Sequence, residues 1–98
     1  MKLSIINKKE WIKEQVDILK SVWETDPISF SSKEEIELWL DKTDLIQILT
    51  ENFDYEAELS QTQDFTNEEF AKQFIELFQK LKNEIIDRFY KETLKLET

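Results

Sequence analysis

The most regular pattern of apolar and polar positions runs from Thr66 to Phe89 and predicts one long amphipathic helix. Its apolar side chains recur at helical intervals and occupy an arc of roughly 120°, as on a helix packed against a core. They are Phe70, Ala71, Phe74, Leu77, Phe78, Leu81, Ile85 and Phe89. Phe74 and Leu81 lie nearest the centre of this arc, so we expect both to be buried. Beyond Phe89 the pattern fails, and we expect fraying from about residue 93.

The start of this helix carries two signals of its own. Thr66 is a favourable N-cap, and Glu69 follows three residues later, so each side chain can bond to the other residue's backbone amide. Phe65 and Phe70 have the spacing of a hydrophobic staple, which fixes the angle at which the chain enters a helix. Together these signals predict the first turn.

An earlier helix is predicted from about Lys8 to Glu24. Asn7 is its expected N-cap, and Pro27 ends it by disfavouring helical geometry in the residue before it. Its apolar residues form two seams, Ile12, Val16, Leu19 and Trp23 in one, Trp11, Ile18 and Val22 in the other. The two seams cover roughly 160°, which is wider than contact with one neighbour requires. We therefore expect this helix to pack between two others.

The segment that follows opens with a second capping box, Ser32 and Glu35. A single helix from there to Phe53 would spread apolar side chains around most of its circumference. Two shorter helices fit better, with a break at residues 41–44. The second would run from Asp44 to Asn52 with Thr43 as its N-cap.

Residues 54–64 have no decisive periodicity. Their first half fits one helical turn and an alternating strand equally well, so we expect a loop with at most a helical turn. The chain has no glycine and one proline, whereas tight β-hairpins favour glycine at positive φ. We therefore predict an all-α fold. It would be a compact bundle of four to five helices with a long C-terminal amphipathic helix, forming one domain over residues 1–98.

Composition also narrows the chemistry. The chain has no cysteine and no histidine, so it lacks a thiolate metal ligand, a thiol nucleophile and an imidazole for acid–base work. We expect neither a cofactor nor a metal site, and we do not expect an enzyme. No window approaches the roughly 20 apolar residues of a membrane span, and the N-terminus lacks the apolar length of a signal peptide. We expect a cytoplasmic protein without membrane contacts.

Acidic residues are concentrated in residues 43–71, which contain eight acidic side chains and no Lys or Arg. Most of the net charge of −9 therefore lies in this stretch. Massed like charge costs self-repulsion and can steer a basic partner. The other interpretation is a solvated acidic face that aids solubility. The candidate partner-binding residues are Asp44, Glu51, Asp54, Tyr55, Glu56, Glu58 and Asp64.

Two features of this stretch allow further interpretations. Tyr55 is either a buried tyrosine with a bonded hydroxyl or an exposed interface anchor, a role in which tyrosine is enriched. Alternate residues from Asp54 to Ser60 have the spacing of an EF-hand loop. However, Leu59 and Phe65 occupy the positions that need glycine and a bidentate glutamate, so at most a weak, nonspecific cation site is expected.

These patterns favour a protein-binding module. Within this class we expect an inhibitor or immunity-type antagonist of a basic, nucleic-acid-handling protein, because an acidic surface can compete with nucleic acid for a basic groove. Direct nucleic-acid binding is not expected, since it needs clustered Lys and Arg. The alternative is a structural or regulatory protein that forms a homodimer through Ile75 and Ile86, which lie roughly 100–120° from the centre of the apolar arc.

Overall fold

The computed structural model describes residues 3–60 and 65–97, with the side chains of 94–97 left out. Within them the chain forms four helices and no strand: α1 (Lys8–Thr25), α2 (Lys33–Lys42), α3 (Leu45–Ser60) and α4 (Asn67–Glu97). The 31 residues of α4 match the longest dimension of the molecule, 47 Å. The prediction of a compact all-α bundle with a long C-terminal helix is confirmed. None of the described helices is both long and apolar enough to cross a membrane.

The start of α4 forms as its sequence predicts. The backbone amide of Glu69 donates to Thr66 Oγ1 at 3.2 Å, and the amide of Thr66 donates to Glu69 Oε2 at 3.4 Å. The rings of Phe65 and Phe70 meet edge to face, with centroids 6.4 Å apart. Both the capping box and the staple are therefore present.

The end of α4 differs from the prediction. The helix continues to Glu97, whereas the apolar pattern ends at Phe89 and fraying was expected from about residue 93. Thr93 is buried, and its hydroxyl donates to the carbonyl of Tyr90 at 3.0 Å. A buried threonine with its hydroxyl bonded within the helix extends the inner face without an apolar residue, which is why hydropathy alone ended the helix too early.

The bounds of α1 agree with the sequence, but its cap does not. Asn7 adopts left-handed backbone geometry, with φ 55°, and its side chain makes no capping hydrogen bond. Instead its carbonyl accepts from the amide of Trp11 at 3.0 Å. The helix ends at Thr25, two residues before Pro27, as expected.

The break between α2 and α3 is confirmed, but α3 is longer than expected. It starts at Leu45 rather than Asp44 and continues through residues 54–60, which were expected to form a loop. Thr43 does not cap it: its hydroxyl donates back to the carbonyl of Trp39 at 2.7 Å. Asp44 turns the chain with φ 58°, a left-handed geometry that aspartate tolerates better than most residues.

Two helices, α4 and α3, contact α1. Along α4 the ion pairs Lys8–Glu84 and Lys20–Glu92 follow one another in the same order, so α1 and α4 run in the same direction. Two contacts from α1 and one from Ile6, just before it, join this part of the chain to α3. They are the rings of Trp11 and Phe53, 5.9 Å apart, the hydrogen bond from Asn52 Nδ2 to Gln15 Oε1 at 2.9 Å, and that from the Ile6 amide to Ser60 Oγ at 3.0 Å. The residue numbers in these pairs rise along α1 and fall along α3, so α3 is antiparallel to α1. The expected position of α1 between two helices is confirmed.

Burial changes along α4. Its C-terminal half, residues 81–93 among the described side chains, contains all of its buried residues: Leu81, Ile85, Ile86, Phe89 and Thr93. None of residues 67–80 is buried. Leu81 is therefore buried as predicted, whereas Phe74 is only half-buried. Ile86, predicted to lie in a dimer seam, is 2% exposed and belongs to the core.

Candidate functional site: the outer face of α3

The side chains of α3 separate into an inner and an outer face. The inner row, buried against the rest of the bundle, recurs every four residues: Leu45, Leu49, Phe53 and Ala57. Opposite this row lie Glu51, Asp54 and Glu58, whose spacing of three and then four residues places them on one side of a helix. All three are exposed. We call these three residues the outer acids.

Next to the outer acids is a row of exposed apolar side chains. Ile48, Tyr55 and Leu59 are seven and then four residues apart and lie within an arc of about 40° at helical periodicity. Ile6 joins them from the segment before α1, because its amide donates to Ser60 Oγ, one residue after Leu59. We call Ile6, Ile48, Tyr55 and Leu59 the apolar strip. They are four of the seven large apolar side chains that remain exposed in the described part of the chain.

On the far side of the strip, α1 and α3 enclose an open pocket of about 260 Å³. It is lined by Ile6, Asn7, Glu10, Trp11, Glu14, Glu56, Leu59 and Ser60. We call its three carboxylate residues, Glu10, Glu14 and Glu56, the pocket acids. No Lys or Arg is among the described residues that line it. The outer acids therefore border the apolar strip on one side, and the pocket acids border its Leu59 end on the other. Carboxylates on both sides of this end favour a positively charged group there.

The structure divides the residues that the sequence singled out. Glu51, Asp54, Tyr55 and Glu58 share the outer half of α3, whereas Glu56 faces α1 and lines the pocket. The remaining two do not join this surface. Asp44 lies in the joint between α2 and α3, where its carbonyl accepts from the amides of Gln47 and Ile48, and Asp64 lies outside the described residues.

Tyr55 is 65% exposed, so the interpretation as a buried tyrosine is wrong. Its exposure makes it available as an interface anchor, the second interpretation that the sequence allowed.

Helical geometry also separates the residues that resembled a cation-binding loop. Neighbouring alternate positions on a helix point about 200° apart, so Asp54, Glu56 and Glu58 do not converge as they would in an EF-hand. Among the described residues no three acidic side chains are arranged to hold a metal ion.

Cations lie elsewhere in the fold. Ion pairs among the described residues join Lys8 to Glu84, Lys20 to Glu92, Lys33 to Asp87 and Arg88 to Glu92, and none of these involves α3. On α3 itself, Glu51 accepts a hydrogen bond from Gln47 Nε2 at 3.1 Å. The outer acids therefore keep their charge unneutralised, and a cation from outside the chain would meet little competition.

Sequence reasoning missed the apolar strip and the pocket acids of α1. The strip follows only when residues 54–60 are helical, because a loop would not align Ile48 with Tyr55 and Leu59. One feature of the sequence could have indicated the contact between α1 and α3: a polar residue lies on the apolar seam of α1. Gln15 lies four residues from both Trp11 and Leu19, is 3% exposed, and bonds to Asn52 of α3.

We find no match to this chain among models of protein families, among curated proteins or among solved structures. Every functional statement about it therefore rests on its own residues.

Proposed function

We propose that this chain is an acidic protein-binding module that binds a basic partner through the outer face of α3. The observation that carries the proposal is the alignment of Glu51, Asp54 and Glu58 beside the exposed ring of Tyr55, with no cation on the same helix. Three aligned like charges repel one another, so the arrangement lowers stability. Such an arrangement can attract a basic surface over a long range and so speed association with it.

Within this class we propose an inhibitor or immunity-type antagonist of a nucleic-acid-handling protein, acting in the cytoplasm. Such a partner carries a basic groove for phosphates, and a row of carboxylates on a helix can occupy that groove in place of nucleic acid. The row lies on a helix that contacts α1 through the Trp11–Phe53 rings and the Gln15–Asn52 hydrogen bond. The absence of cysteine is compatible with a reducing compartment.

The competing proposal is a homodimer seam at Ile75 and Ile86; Ile86 is buried within the chain, so only Ile75 remains exposed for such a seam. Binding chemistry remains the better proposal than catalysis for a surface of carboxylates, one tyrosine and aliphatic side chains.

The test is association kinetics with the partner that copurifies from the native host at low salt. Replacing the outer acids with Gln, Asn and Gln should slow association more than it changes dissociation, because steering acts before contact. Association of the unmodified protein should also slow as salt rises, since the Debye length falls from about 10 Å at 0.1 M to about 3 Å at 1 M.

The chain supplies a matched control on α2. Glu34, Glu37 and Asp41 are exposed and have the same spacing of three and then four residues as the outer acids. Replacing them with Gln, Gln and Asn changes the net charge equally but leaves α3 intact. Equal slowing by both triple variants would reduce the effect to net charge and contradict a binding face on α3.

Tyr55→Ala separates anchoring from steering. Loss of an interface anchor speeds dissociation, typically at a cost of about 2 kcal/mol or more, and leaves association nearly unchanged. Unchanged dissociation would remove Tyr55 from the interface.

A further inference from the structure

We infer that the apolar strip is the docking surface for a basic amphipathic helix of the partner. This inference rests on the proposed function and goes beyond it by specifying the partner's structure. It predicts a helix whose apolar residues pack on the strip and whose Lys and Arg residues border that apolar row on both sides.

The dimensions of the strip suit a helix. Ile48 and Leu59 are eleven residues apart on α3, which corresponds to about 16 Å or three helical turns. A partner helix lying along this row would place residues at positions i, i+3 or i+4, i+7 and i+11 against it, the spacing by which an amphipathic helix is recognised in a groove. The described residues contain no strand, so they offer no sheet edge to which an extended peptide could pair.

The carboxylates beside the strip determine the sign of the charge that the partner helix must carry. The outer acids line one side of the strip, and the pocket acids flank its Leu59 end on the other, so a helix seated on the strip meets carboxylates on both flanks at that end. An apolar stripe with basic residues on both sides is complementary to this arrangement. A neutral or acidic amphipathic helix would leave these carboxylates facing an apolar or like-charged surface and losing water without a partner.

The pocket gives the docked helix a fixed register. One wall is Trp11 and the strip contributes Ile6 and Leu59, while Glu10 and Glu14 stand at its edge. A Lys or Arg side chain suits this mixture, because its aliphatic stem packs on apolar surface while its charged head reaches the carboxylates. Trp11 is 4% exposed, so this wall of the pocket is part of the packed core.

A second copy of this chain is a poor occupant. Packing α3 on α3 would bring two rows of outer acids together, and like-charge contact across an interface costs several kcal/mol. We therefore infer that a basic partner, rather than a second copy of this chain, occupies the strip.

The probe is a synthetic peptide of about 18 residues, long enough for about five helical turns, with Leu at helical spacing and Lys on both flanks. A scrambled peptide of identical composition keeps the charge and removes the apolar stripe. Fluorescence anisotropy measures both affinities, circular dichroism measures the helicity of each peptide on mixing, and amide chemical shifts locate the binding site. We expect the amphipathic peptide to bind at least about tenfold more tightly, to become helical, and to shift residues 48–59 and 6–14.

The chain offers a matched pair of variants. Leu59 on the strip and Leu38 on α2 are both 59% exposed, so Leu59→Ser and Leu38→Ser remove the same side chain at equal burial. Leu59→Ser should weaken the amphipathic peptide by about tenfold, whereas Leu38→Ser should leave its affinity within about twofold. Melting curves of both variants check that the fold is retained.

The outcomes separate this inference from the proposed function. Equal affinity for the two peptides, or an equal effect of the two leucine variants, overturns helix docking on the strip. If the outer-acid variant nevertheless slows association with the copurified partner, the acidic face stands as a binding site for another basic structure. Failure of the amphipathic peptide to bind at all also overturns the inference. The proposed function is then tested only by the association kinetics with the copurified partner.

Discussion

The two halves of α4 share one apolar face but differ in what covers it. Residues 81–93 lie between α1 and α2, and the ring of Phe89 packs against Phe30 and stacks on Trp39, with centroids 5.9 and 5.5 Å away. Residues 67–80 have sparser cover. Their main partner is Phe53 of α3, 4.7 Å from Phe74, and the amide of Leu3 donates to Gln73 Oε1.

This difference shows what helical periodicity measures. The spacing of apolar residues gives the direction in which a side chain points, and it placed Phe74 and Leu81 equally near the centre of the face. Depth depends on whether another element lies over that position, and this follows from tertiary packing rather than from the helix itself. Equal positions on a helical projection can therefore contribute unequally to stability.

The largest expected effect comes from comparing two phenylalanines. Phe89→Ala should lower the free energy of unfolding by about 3–5 kcal/mol, because a fully buried ring leaves a cavity. Phe74→Ala should cost only about 1–3 kcal/mol, since a half-buried ring removes less surface from water. Denaturant midpoints of both variants test this. Equal losses would show that the two halves of α4 are equally well packed.

A pair of isoleucines sharpens the comparison at smaller scale. Ile86→Ala should cost about 2–5 kcal/mol because Ile86 lies in the core. Ile75 is 61% exposed, so Ile75→Ala should change stability by no more than about 0.5 kcal/mol. Thermal or urea unfolding measures both. A large loss at Ile75 in a protein that sediments as a dimer would restore a self-association surface there.

The smallest effect concerns Glu35, which lies in the first turn of α2. The amide and hydroxyl of Ser31 both donate to its carboxylate at 2.7 Å, and these hydrogen bonds lower the pKa of Glu35 below its ordinary value of 4.5. Its contribution to stability is therefore present above that value and lost as pH falls through the lowered pKa.

Glu35→Gln should accordingly lower the melting temperature at neutral pH, and this difference from the unmodified protein should shrink as pH falls through the lowered pKa of Glu35. Glu34→Gln is the control, since Glu34 is the exposed neighbouring carboxylate and makes no comparable hydrogen bond to Ser31. If the difference in melting temperature between Glu35→Gln and the unmodified protein is constant over the whole pH range, the role assigned to these hydrogen bonds is contradicted.

Local signals predicted most of the helical framework. The capping boxes at Ser32 and Thr66, together with Pro27, gave three helix ends correctly because each acts through neighbouring residues. Asn7 and Thr43 nevertheless failed as N-caps. The errors in the lengths of α3 and α4 fell where polar residues occupy inner positions. Ser60 and Thr93 are both buried with their hydroxyls bonded, and hydropathy cannot distinguish such residues from exposed ones.

Only part of the candidate site could be predicted from the sequence. The charge of residues 43–71 is visible without a structure, and it pointed to Glu51, Asp54 and Glu58. Their common face required the helical conformation of residues 54–60, which the sequence left open. Ile6 and the carboxylates of α1 are far from α3 in sequence, so only the antiparallel packing of α1 on α3 brings them to the strip.

The parallel pairing of α1 with the C-terminal half of α4 also sets an order of events during synthesis. Ribosomes add about 5–20 residues per second, so the roughly 55 residues between the end of α1 and Leu81 take several seconds to appear. Throughout that interval the side chains of Val16 and Leu19, which are fully enclosed in the finished molecule, lack their principal cover. Until residues 81–93 are made, the apolar face of residues 8–25 therefore lacks the surface that covers it in the folded chain.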